Sequence, residues 1–507
     1  MKSLEIILMI SVNLLLLMLM YIRSKYFIHM AQQLGYIPVE YKSWLQEHPK
    51  AAFSFKKGKT EFKKPLVYTP RVKRLFFTQM FINFLPIILL VLLYFLIRLT
   101  DVGFLLLVLG QIFIGLTLIF YQNIITGLSL VINSPFERLI HKKFYKQAQK
   151  KILSLKKNDG LKVVGITGSY GKTSTKMVLY NMLKDYIPVY TSPESYNTPM
   201  GLSKVINDEL SDKYKVFIAE MGARYEGEIK ELTDLVYPDI GVLTNIGPCH
   251  LETFGSQENI IKTKFELADA TIENGILIVN LDNEFIKNEI ANRGYDCKTV
   301  SLKDSGTSIS AEIISCDENG TKFNIKFPEA EIEATTKLLG EHNIINILLA
   351  VMVAREFGIS NEDIVKAIAN LPQVEHRLNL IKNNNGLIII DDAFNSNPDG
   401  ARAAIKVLNS FKSGKRVIVT PGMVELGDKQ YEENYALGQY IANHTDISIL
   451  VGTEIAKPIK DGIENINNKE HVSFQVKTLN EATALFPNIL TAGDIVLFEN
   501  DLTDIYE

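Results

Sequence analysis

Three long apolar runs dominate the first part of the chain, at residues 4–22, 80–97 and 102–121, and Glu5 is the one charged residue in them. A run of about 18 or more such residues can cross the roughly 30 Å hydrocarbon core of a membrane as a helix. A buried core helix fits less well, because none of the runs has a polar face. A signal peptide is the alternative for the first run, but no small-residue cleavage site follows it. We therefore predict an α-helical membrane module over residues 1–150 with three transmembrane helices.

The distribution of Lys and Arg predicts how these helices are oriented. Twelve of these residues lie in 23–74, one lies in 98–101 and eight lie in 133–160. Because Lys and Arg are enriched in cytoplasmic loops, we expect both basic segments on the cytoplasmic side and the N-terminus outside. The protein is then a multi-pass protein of the cytoplasmic membrane, with its larger C-terminal part in the cytoplasm. The basic segments can contact membrane lipid headgroups, although a solvated basic flank is the simpler explanation.

Residues after about 160 alternate between short β-rich runs and helical stretches, which is typical of a mainly parallel sheet with helices on both faces. The first β-rich runs lie at 161–167, 215–221, 240–246 and 276–281. Residues 307–337 instead alternate apolar and polar side chains, as half-exposed antiparallel strands do, and form an insert or edge of the same domain. A second such unit begins near Gln373. We predict two α/β domains: a central domain with a parallel sheet over 151–372, and a Rossmann-like C-terminal domain over 373–507.

Composition and charge exclude several classes of protein. The chain has 507 residues, of which 47% are hydrophobic and 22% charged, and its net charge is −3. These values exclude a disordered protein, a collagen-like fibre and a small disulfide scaffold. A dedicated nucleic-acid binder would be strongly basic, so we expect no nucleic-acid partner. The three cysteines, Cys249, Cys297 and Cys316, are too scattered for a disulfide framework or a CxxC zinc site, which indicates a reducing cytosolic setting for most of the chain.

A glycine-rich segment at 165–175, GITGSYGKTST, lies between a predicted buried strand and a predicted helix. Glycines let backbone amides surround phosphate oxygens, and the helix N-terminus adds positive potential. In such a loop Lys172 reaches the outer phosphates and the Thr173 hydroxyl reaches a magnesium ion. The general pattern has a glycine at position 166, where this chain has isoleucine, and an ordinary strand–turn–helix corner is the alternative. The predicted phosphate-binding residues are Gly168, Ser169, Tyr170, Gly171, Lys172, Thr173 and Ser174. This loop predicts that the parallel sheet of the central domain is of the P-loop ATPase type.

Two further candidate side chains follow apolar strands. Glu220 ends the strand at 215–220, where nucleotide sites hold a magnesium ligand or a water-orienting acid. A surface acid at a strand end is the alternative. His250 follows another strand, in TNIGPCHLE at 244–252, and can ligate a metal through a neutral imidazole. A lone histidine is more often structural.

Two weaker motifs are rich in asparagine and aspartate. Asn343 and Asn346 in GEHNIIN are three residues apart and share one helical face, but helix capping explains Asn343 equally well. Asp391 and Asp392 open DDAFNSNP at 391–398 after a buried strand. Acids and asparagines at a strand end suit ligand binding, although Asn-Pro also simply makes a turn.

In their order along the chain, these motifs resemble the Mur ligase family, and within it the MurF branch, which adds D-alanyl-D-alanine to a UDP-muramoyl tripeptide. The resemblance covers about residues 160–500. It is carried by the segments TGSYGKTS, SYNTPMG, EMG, TNIGPCHLE, KTKFE, GEHNIIN, HRL and DDAFNSNP. The family's own loop has the glycine spacing found around position 166.

The resemblance implies roles for the matching positions. Lys172, His250 and Lys264 are the implied catalytic residues, and Lys264 matches a lysine that family members carbamylate to make a metal-binding anion. The implied metal ligands are Thr173, Glu220, His250 and Lys264. The implied nucleotide-binding residues outside the loop are Asn343, Asn346, Arg377 and Asp392. The implied substrate-binding residues are Asn197, Thr198 and Asn395.

The resemblance also implies the reaction, that of an ATP-dependent acid–amino-acid ligase of peptidoglycan precursor synthesis with ATP and Mg²⁺ as cofactors. A carboxylate on a cell-wall precursor attacks the γ-phosphate of ATP, and a small-molecule amine such as D-alanyl-D-alanine then opens the acyl phosphate. Mg²⁺ and Lys172 would neutralise the charge that develops on the transferring phosphoryl group. We expect domain closure to keep water away from the acyl phosphate.

Two departures from the family leave the acceptor open. A MurF begins with a soluble domain that binds the uridine nucleotide, but here the apolar runs and a basic loop occupy that position. A MurF also has a lysine-glycine-serine turn where this chain has VLFENDLTDIY at 496–506. One alternative is therefore a membrane-associated poly-γ-glutamate-type synthase, or another Mur-like ligase acting on a lipid-linked or polymeric acceptor. A second is a non-catalytic ATP-binding membrane scaffold, which the set Glu220, His250 and Lys264 disfavours. The chain lacks the Asn-Lys-x-Asp motif of a GTPase.

Overall fold

The computed structural model describes residues 3–49, 65–97, 101–193, 196–273, 275–374, 376–382, 386–393, 396–411 and 414–501. The chain divides into two compact units, one ending at Lys142 and the other beginning at Lys143. The boundary between them falls inside the helix Gln122–Asp159.

The first unit is helical. Its helices are α1 (Ser3–Gln33), α2 (Pro38–Glu47), α3 (Pro70–Ile97), α4 (Asp101–Phe120) and the first part of α5 (Gln122–Asp159). Among the residues that the structure describes, three stretches are long and apolar enough to cross a membrane: Ile7–Gln33, Pro70–Leu93 and Gly103–Phe120. The first two predicted runs therefore lie inside longer helices, because the polar residues beside them continue the helical hydrogen bonding.

Side chains in the first unit are distributed in the opposite way to those of a water-soluble bundle. Large apolar side chains such as Leu14, Phe81 and Phe113 are exposed, whereas the amides of Asn83 and Gln122 are fully buried. These two amides bond to each other, with Gln122 Nε2 donating to Asn83 Oδ1 at 2.9 Å. Apolar side chains on the outside and hydrogen-bonded amides between the helices are typical of helices packed in lipid.

Two glycines of α4 allow close contact between the apolar helices. A Cβ atom at Gly115 would lie 2.6 Å from Leu16 Cδ1 of α1, and one at Gly110 would lie 3.1 Å from Leu90 Cδ2 of α3. Helices without a hydrophobic driving force between them associate through such small residues. The glycines of the third apolar run therefore serve packing within this unit.

The other end of the first unit surrounds Trp44, the one tryptophan of the chain. Trp44 packs in a core with Phe27 of α1 and Leu75 of α3. An ion pair lies in the same unit, where Arg74 Nε donates to Glu137 Oε1 at 2.7 Å and Nη2 donates to Glu137 Oε2 at 2.9 Å. The Glu137 side chain is only 7% exposed, so this carboxylate depends on its cationic partner.

The second unit contains a nine-stranded sheet in the order β2-β3-β1-β4-β5-β6-β7-β8-β9. Its strands are β1 (Lys162–Thr167), β2 (Val189–Thr191), β3 (Val216–Glu220), β4 (Ile240–Leu243), β5 (Ile276–Asn280), β6 (Lys298–Ser301), β7 (Ile309–Asp317), β8 (Gly320–Lys326) and β9 (Glu331–Thr336). Its helices are α6 (Lys172–Leu183), α7 (Pro199–Asp208), α8 (Glu228–Val236), α9 (Leu251–Phe254), α10 (Gln257–Thr271), α11 (Glu284–Arg293), α12 (Glu341–Glu356) and α13 (Asn361–Ala369). The pairs up to β7 are parallel, and β7, β8 and β9 pair antiparallel at the edge, as the alternating pattern at 307–337 predicts.

Helices cover both faces of this sheet. Val163 and Val164 are consecutive in β1 but belong to different cores, because side chains alternate along a strand. One core includes α6 and α12, and the other includes α8, α10 and the second part of α5. Burial on both faces explains why the strands read as nearly continuous apolar runs.

A six-stranded sheet follows in the order β10-β11-β15-β12-β13-β14, in which β10 alone is antiparallel to its neighbour. Its strands are β10 (Asn379–Lys382), β11 (Ile388–Asp392), β12 (Arg416–Thr420), β13 (Ile447–Val451), β14 (Val472–Val476) and β15 (Ile495–Glu499). Its helices are α14 (Pro398–Ser410), α15 (Gln430–His444), α16 (Lys457–Ile466) and α17 (Leu479–Ile489), with a short 3₁₀ turn at Gly427–Lys429. Both α/β sheets of the predicted fold class are thus confirmed.

Strand order determines which side chains share an edge, because the carboxyl ends of parallel neighbours lie together. Strand β1 lies between β3 and β4, so the loop after β1 lies beside Glu220 and Thr244. Strand β15 lies between β11 and β12, so Glu499 lies between Asp392 and Thr420. Both edges therefore carry polar side chains at the ends of buried strands.

Replacing Arg74 with methionine should destabilise the first unit. After this change, Arg71 is the remaining cationic partner of the buried Glu137 carboxylate, and its Nε is 3.8 Å from Glu137 Oε2. We expect a loss of about 3 kcal/mol, near the lower end of the range for breaking a buried ion pair. Thermal unfolding of the full chain in detergent, followed by Trp44 fluorescence, measures it, because Trp44 lies in this unit.

Lys73→Met, at an exposed position of the same helix, is the matched control. The double variant Arg74→Met/Glu137→Leu should regain much of the lost stability, because the buried carboxylate is then removed together with its partner. Equal unfolding midpoints for Arg74→Met and Lys73→Met would contradict the expectation.

Candidate functional site

The glycine-rich segment forms a tight loop between β1 and α6, as predicted. Gly168 and Gly171 have backbone φ angles of 155° and 81°, in the region that favours glycine. A Cβ atom at Gly168 would lie 2.1 Å from Thr244 Oγ1, so this position also requires glycine for space. The Thr244 hydroxyl donates to the carbonyl of Tyr170 and so holds the loop against the end of β4.

Lys172 is the first residue of α6, so the positive end of the helix dipole points at the loop. Its ammonium donates to the carbonyls of Gly168 at 2.8 Å and Ser169 at 3.1 Å. Burial lowers the pKa of Lys172, Glu220 opposes this shift and Arg377 adds to it. A cation and free helix amides at a glycine-rich loop form a cradle suited to phosphate.

Glu220 is buried at the end of β3 and accepts hydrogen bonds from two side chains. Thr173 Oγ1 and Asn197 Nδ2 each donate to Glu220 Oε1 at 3.1 Å. Burial alone would raise the pKa of Glu220, but the charges of Lys176 and Lys172 outweigh it, and the pKa lies below its usual value. Glu220 is therefore an ionised carboxylate beside the phosphate loop.

Lys176 is a site residue that the sequence analysis missed. Its ammonium lies 2.9 Å from Glu220 Oε2 and donates to the carbonyl of Ser192 at 3.0 Å, and both charged side chains are at most 2% exposed. The sequence feature that could have identified Lys176 is its position in α6, one helical turn after Lys172. A lysine at that spacing reaches the same strand end.

Asn197 and Thr198 lie in the segment that leads into α7. The backbone of Asn197 accepts a hydrogen bond from Gly222 N at 2.8 Å, and a Cβ atom at Gly222 would lie 2.8 Å from Asn197 Cγ. Thr198 caps α7 by accepting from Gly201 N at 3.2 Å. Asn197 thus lies beside Glu220, whereas the Thr198 hydroxyl serves the helix. The predicted Asn395 lies outside the described residues.

Asn343 and Asn346 both lie buried on α12. Asn346 Oδ1 accepts from Thr175 Oγ1 at 3.0 Å and would lie 2.7 Å from a Cβ at Gly171. Asn343 Nδ2 instead donates to the carbonyl of Leu339 at 2.8 Å. Asn346 therefore supports the phosphate loop directly, and Asn343 fixes the start of its helix.

His250 follows β4 and has a φ angle of 51°, which is rare for a residue other than glycine. Its Nδ1 contacts a carboxylate oxygen of Glu425, which comes from the six-stranded domain. Glu425 also lies 3.7 Å from Arg224 Nη2. Arg224 and Glu425 could not be predicted, because no local pattern in the sequence relates them to His250.

Lys264 is buried in α10, with 1% of its surface exposed. Burial lowers its pKa to about 8, and the charge of Lys172 adds to the shift. Its Nζ lies 5.8 Å from the centre of the Phe254 ring. An amine in this environment is neutral far more often than a surface lysine, so it can react as a nucleophile near neutral pH. Its neighbour Lys262 is exposed and pairs with Glu226 at 3.2 Å.

Arg377 and Asp392 bring the second domain to this site. Burial lowers the pKa of Arg377, while the charges of Asp392 and Glu220 raise it. Burial raises the pKa of Asp392 to about 6, while Arg377 and a hydrogen bond from Leu378 N at 3.2 Å oppose that shift. Arg377 therefore interacts electrostatically with carboxylates of both domains.

Glu499 is a further buried acid at the end of β15 that the sequence analysis did not select. It accepts from the hydroxyls of Ser396 and, at 2.6 Å, Thr420. Burial raises its pKa to about 7. The available signal was that Glu499 ends the apolar run IVLFE at 495–499, as Glu220 ends its own strand.

The residues around the phosphate loop fit a magnesium ion. Thr173 Oγ1 and Glu220 Oε1 are two oxygen donors 3.1 Å apart beside the cradle, and Mg²⁺ binds through one or two carboxylates together with substrate phosphates. Within the described part of the chain, no three His, Cys, Asp or Glu side chains cluster closely enough to hold a metal by themselves. The donor set thus suits a metal that shares its ligands with a nucleotide.

Comparison with known proteins agrees with this geometry. Residues 166–354 match the Mur ligase middle domain, and residues 376–499 match the Mur ligase glutamate ligase domain. The UDP-N-acetylmuramoyl-tripeptide--D-alanyl-D-alanine ligase of Bacillus subtilis is 32% identical over 345 residues, which cover 67% of this chain and 73% of that enzyme. The enzyme of the same name from Mycobacterium tuberculosis is 33% identical over 303 residues, which cover 58% of this chain and 59% of that enzyme.

Two solved structures are similar in fold. MurF from Acinetobacter baumannii superposes with a TM-score of 0.63 and 27% identity, covering 71% of this chain and 78% of that one. The MurF ligase from Thermotoga maritima, in complex with ADP, superposes with a TM-score of 0.64 and 26% identity, covering 72% of this chain and 82% of that one. Two Mur ligase domains match the chain, and the chain covers 73% of the Bacillus subtilis enzyme at 32% identity. The chain therefore belongs to the Mur ligase family.

Proposed function

We propose that the protein is an ATP-dependent acid–amino-acid ligase that joins an amine, such as D-alanyl-D-alanine, to a carboxylate of a peptidoglycan precursor. The observation that carries the proposal is the buried Lys264, whose charge is coupled to that of Lys172 in the phosphate loop. Binding ATP needs Lys172 but no second buried amine. A ligase needs an additional charged group near the transferred phosphoryl group, and a carbamylated Lys264 supplies one.

The side chains around the loop support phosphoryl transfer in distinct ways. Lys172 and the first amides of α6 hold the phosphates and neutralise negative charge. Thr173 and Glu220 are the residues that would hold Mg²⁺, with His250 and carbamylated Lys264 nearby. The ion stabilises developing charge on phosphate oxygens when bound. Arg377, which interacts with Glu220 from the other domain, adds positive charge as the domains close.

The nucleotide and substrate assignments follow the same proposal. Asn343, Asn346, Arg377 and Asp392 surround the nucleotide, and Asn197 approaches the carboxylate substrate beside Glu220. Thr198 and Asn395 belong to the same substrate assignment. The amine must arrive uncharged, and exclusion of water by domain closure protects the activated carboxylate from hydrolysis.

We propose that the apolar helices hold the ligase at the cytoplasmic face of the cell membrane as a multi-pass anchor. The three candidate spans and their outward-facing apolar side chains support this location. The matched domains begin at residue 166, so the helices precede the part of the chain that is shared with the family. A membrane anchor favours an acceptor near the bilayer, and a lipid-linked or polymeric carboxylate is the second candidate for it.

Release of ADP from ATP by the purified full chain in detergent tests the ligase function. The assay combines each of three carboxylates (a UDP-linked muramoyl tripeptide, its lipid-linked form and a glutamate polymer) with D-alanyl-D-alanine or with glutamate. We expect ADP release that requires both a carboxylate and an amine. If none of the carboxylate–amine pairs gives ADP release, the ligase function is rejected. Glutamate as the preferred amine would favour the polymer synthase.

Lys172→Ala should abolish ligation while the protein stays folded and in the membrane fraction. Lys172 is the cation that contacts the loop carbonyls, so its loss removes the charge that faces the phosphates. We expect ADP release to fall by at least about 100-fold, in the range for loss of a preorganised charge. Lys184→Ala, which removes an exposed lysine just after the same helix, serves as control. Near wild-type ADP release by Lys172→Ala would contradict the assignment.

Lys264→Ala should be inactive, and acetate or another short carboxylate should restore part of the activity by supplying the missing anion. Lys262→Ala should remain active, because Lys262 is exposed and pairs with Glu226. In wild-type enzyme depleted of carbon dioxide, recovery at a fixed concentration of dissolved carbon dioxide should be faster as pH rises towards about 8, since more of Lys264 is then the neutral amine that attacks carbon dioxide. Full turnover by Lys264→Ala, or loss of activity in Lys262→Ala, would reject the assignment.

A topology with the N-terminus outside predicts that position 101 is external and position 60 is cytoplasmic. Asp101→Cys and Thr60→Cys, each in a chain whose three cysteines are replaced by alanine, test this with a membrane-impermeant thiol reagent on intact cells. We expect labelling at position 101 and none at position 60 until the cells are opened. The reverse pattern would overturn the topology but not the ligase function.

A further inference from the structure

One acidic side chain of the C-terminal domain, Glu425, contacts both loops that flank the phosphate-loop strand. One carboxylate oxygen pairs with Nδ1 of His250, in the loop after β4. The other lies 3.7 Å from Nη2 of Arg224, in the loop after β3. Since β3 and β4 lie on either side of β1, a single carboxylate spans the catalytic edge of the sheet.

The segment that carries Glu425 is held by its own domain. Met423 N donates to Asn434 Oδ1 at 2.8 Å, and Asn434 Nδ2 donates back to the Met423 carbonyl at 2.9 Å. Leu426 N donates to Gln430 Oε1 at 3.2 Å. Asn434 and Gln430 belong to α15, so the position of Glu425 moves with the body of the C-terminal domain.

The contact joins two residues in an uncommon backbone conformation. Glu425 has a φ angle of 63° and His250 one of 51°, although neither is glycine, and such residues cluster at functional sites. The segments also approach each other beyond the His250–Glu425 contact, since a Cβ at Gly427 would lie 3.7 Å from Glu252 N and 3.8 Å from Leu251 Cβ. The interface therefore continues from Glu425 onto the first turn of α9.

We propose that Glu425 is a positioning residue that fastens the C-terminal domain to the catalytic loops and orients the His250 imidazole. The contact at Nδ1 fixes the orientation of the ring and leaves Nε2 as the nitrogen that can bind a ligand. A carboxylate partner orients metal-binding histidines in the same way. The inference rests on the proposed ligase function and adds to it the residue that links domain closure to assembly of the site.

An ion pair between Lys406 and Glu341 also joins the two domains and provides a matched control. Lys406 Nζ lies 2.6 Å from Glu341 Oε1, but these side chains are 62% and 57% exposed, whereas Glu425 and His250 are 19% and 23% exposed. Exposed ion pairs contribute little because water and salt screen them. Lys406→Gln removes an interdomain charge contact without changing a group that faces His250.

Steady-state ADP release by the full chain measures the orienting role. Glu425→Gln should lower kcat by about 10- to 100-fold, the range for loss of a carboxylate behind a ligating histidine. The half-saturating Mg²⁺ concentration should rise, with little change in KM for ATP. Glu425→Asp should regain part of kcat because it keeps the charge, and Lys406→Gln should match the wild type.

A distance measurement tests the fastening role without turnover. Spin labels at Lys184→Cys and Lys469→Cys, two exposed positions in the two domains, report the domain separation in a chain whose native cysteines are alanine. We expect a narrow distance distribution for the parent chain and for Lys406→Gln. Glu425→Gln should add a population at longer distance.

The outcomes separate the two roles from the ligase function itself. Wild-type kcat and Mg²⁺ dependence in Glu425→Gln, or no difference between Glu425→Gln and Glu425→Asp, would overturn the orienting role. An unchanged distance distribution in Glu425→Gln would overturn the fastening role. If the parent chain releases no ADP with any substrate pair, the ligase proposal fails, and the distances alone decide whether Glu425 holds the domains together.

Discussion

The edge of the nine-stranded sheet beside the glycine-rich loop depends on neutralising one buried carboxylate, that of Glu220. A charge in this position has lost nearly all contact with water, so it is tolerated only when charge and hydrogen bonds replace the water. Lys176 supplies the charge at 2.9 Å, and Thr173 and Asn197 supply hydrogen bonds at 3.1 Å. These partners come from α6 and from the segment before α7, so satisfying one carboxylate fixes both segments against β3. The phosphate loop, which connects β1 to α6, acquires its geometry from that arrangement.

Glu499 is equally buried at the edge of the other sheet but has a different electrostatic character. Its partners are the hydroxyls of Ser396 and Thr420, which stabilise a carboxylate less than an ammonium does. Its pKa is accordingly raised to about 7, whereas that of Glu220 is lowered. At neutral pH the edge of the central domain thus holds a full negative charge balanced by lysine, and Glu499 is partly protonated. Two strand-end glutamates in one chain therefore have different chemical roles, set by the neighbour each one has.

The features that could be predicted without the family resemblance are those that depend on contiguous residues. The phosphate loop needs its glycines, Lys172 and the flanking strand and helix, all within a dozen positions, and the alternation of strands and helices is equally local. Lys176 escaped prediction because an isolated lysine on a helix is usually solvated, and its burial arises from the packing of α6 against β3. Glu425 escaped because its partners, His250 and Arg224, belong to another domain. The fold could thus be predicted, whereas the side chains that hold its parts together could not.

The helix that follows the third candidate span shows a similar limit of prediction, here for hydropathy averaged along the sequence. The apolar stretch ends at Phe120 by hydropathy, yet α5 exposes Ile124, Leu128, Val131, Phe136 and Leu139 along one side. Its amides and hydroxyls, such as those of Gln122, Thr126 and Ser129, are fully buried on the other side. The mean hydropathy of the segment averages the two faces and is therefore that of a polar segment, although the apolar face is the exposed one. For helices whose polar groups bond to one another inside a bundle, the chemistry of the exposed face determines which solvent the helix fits.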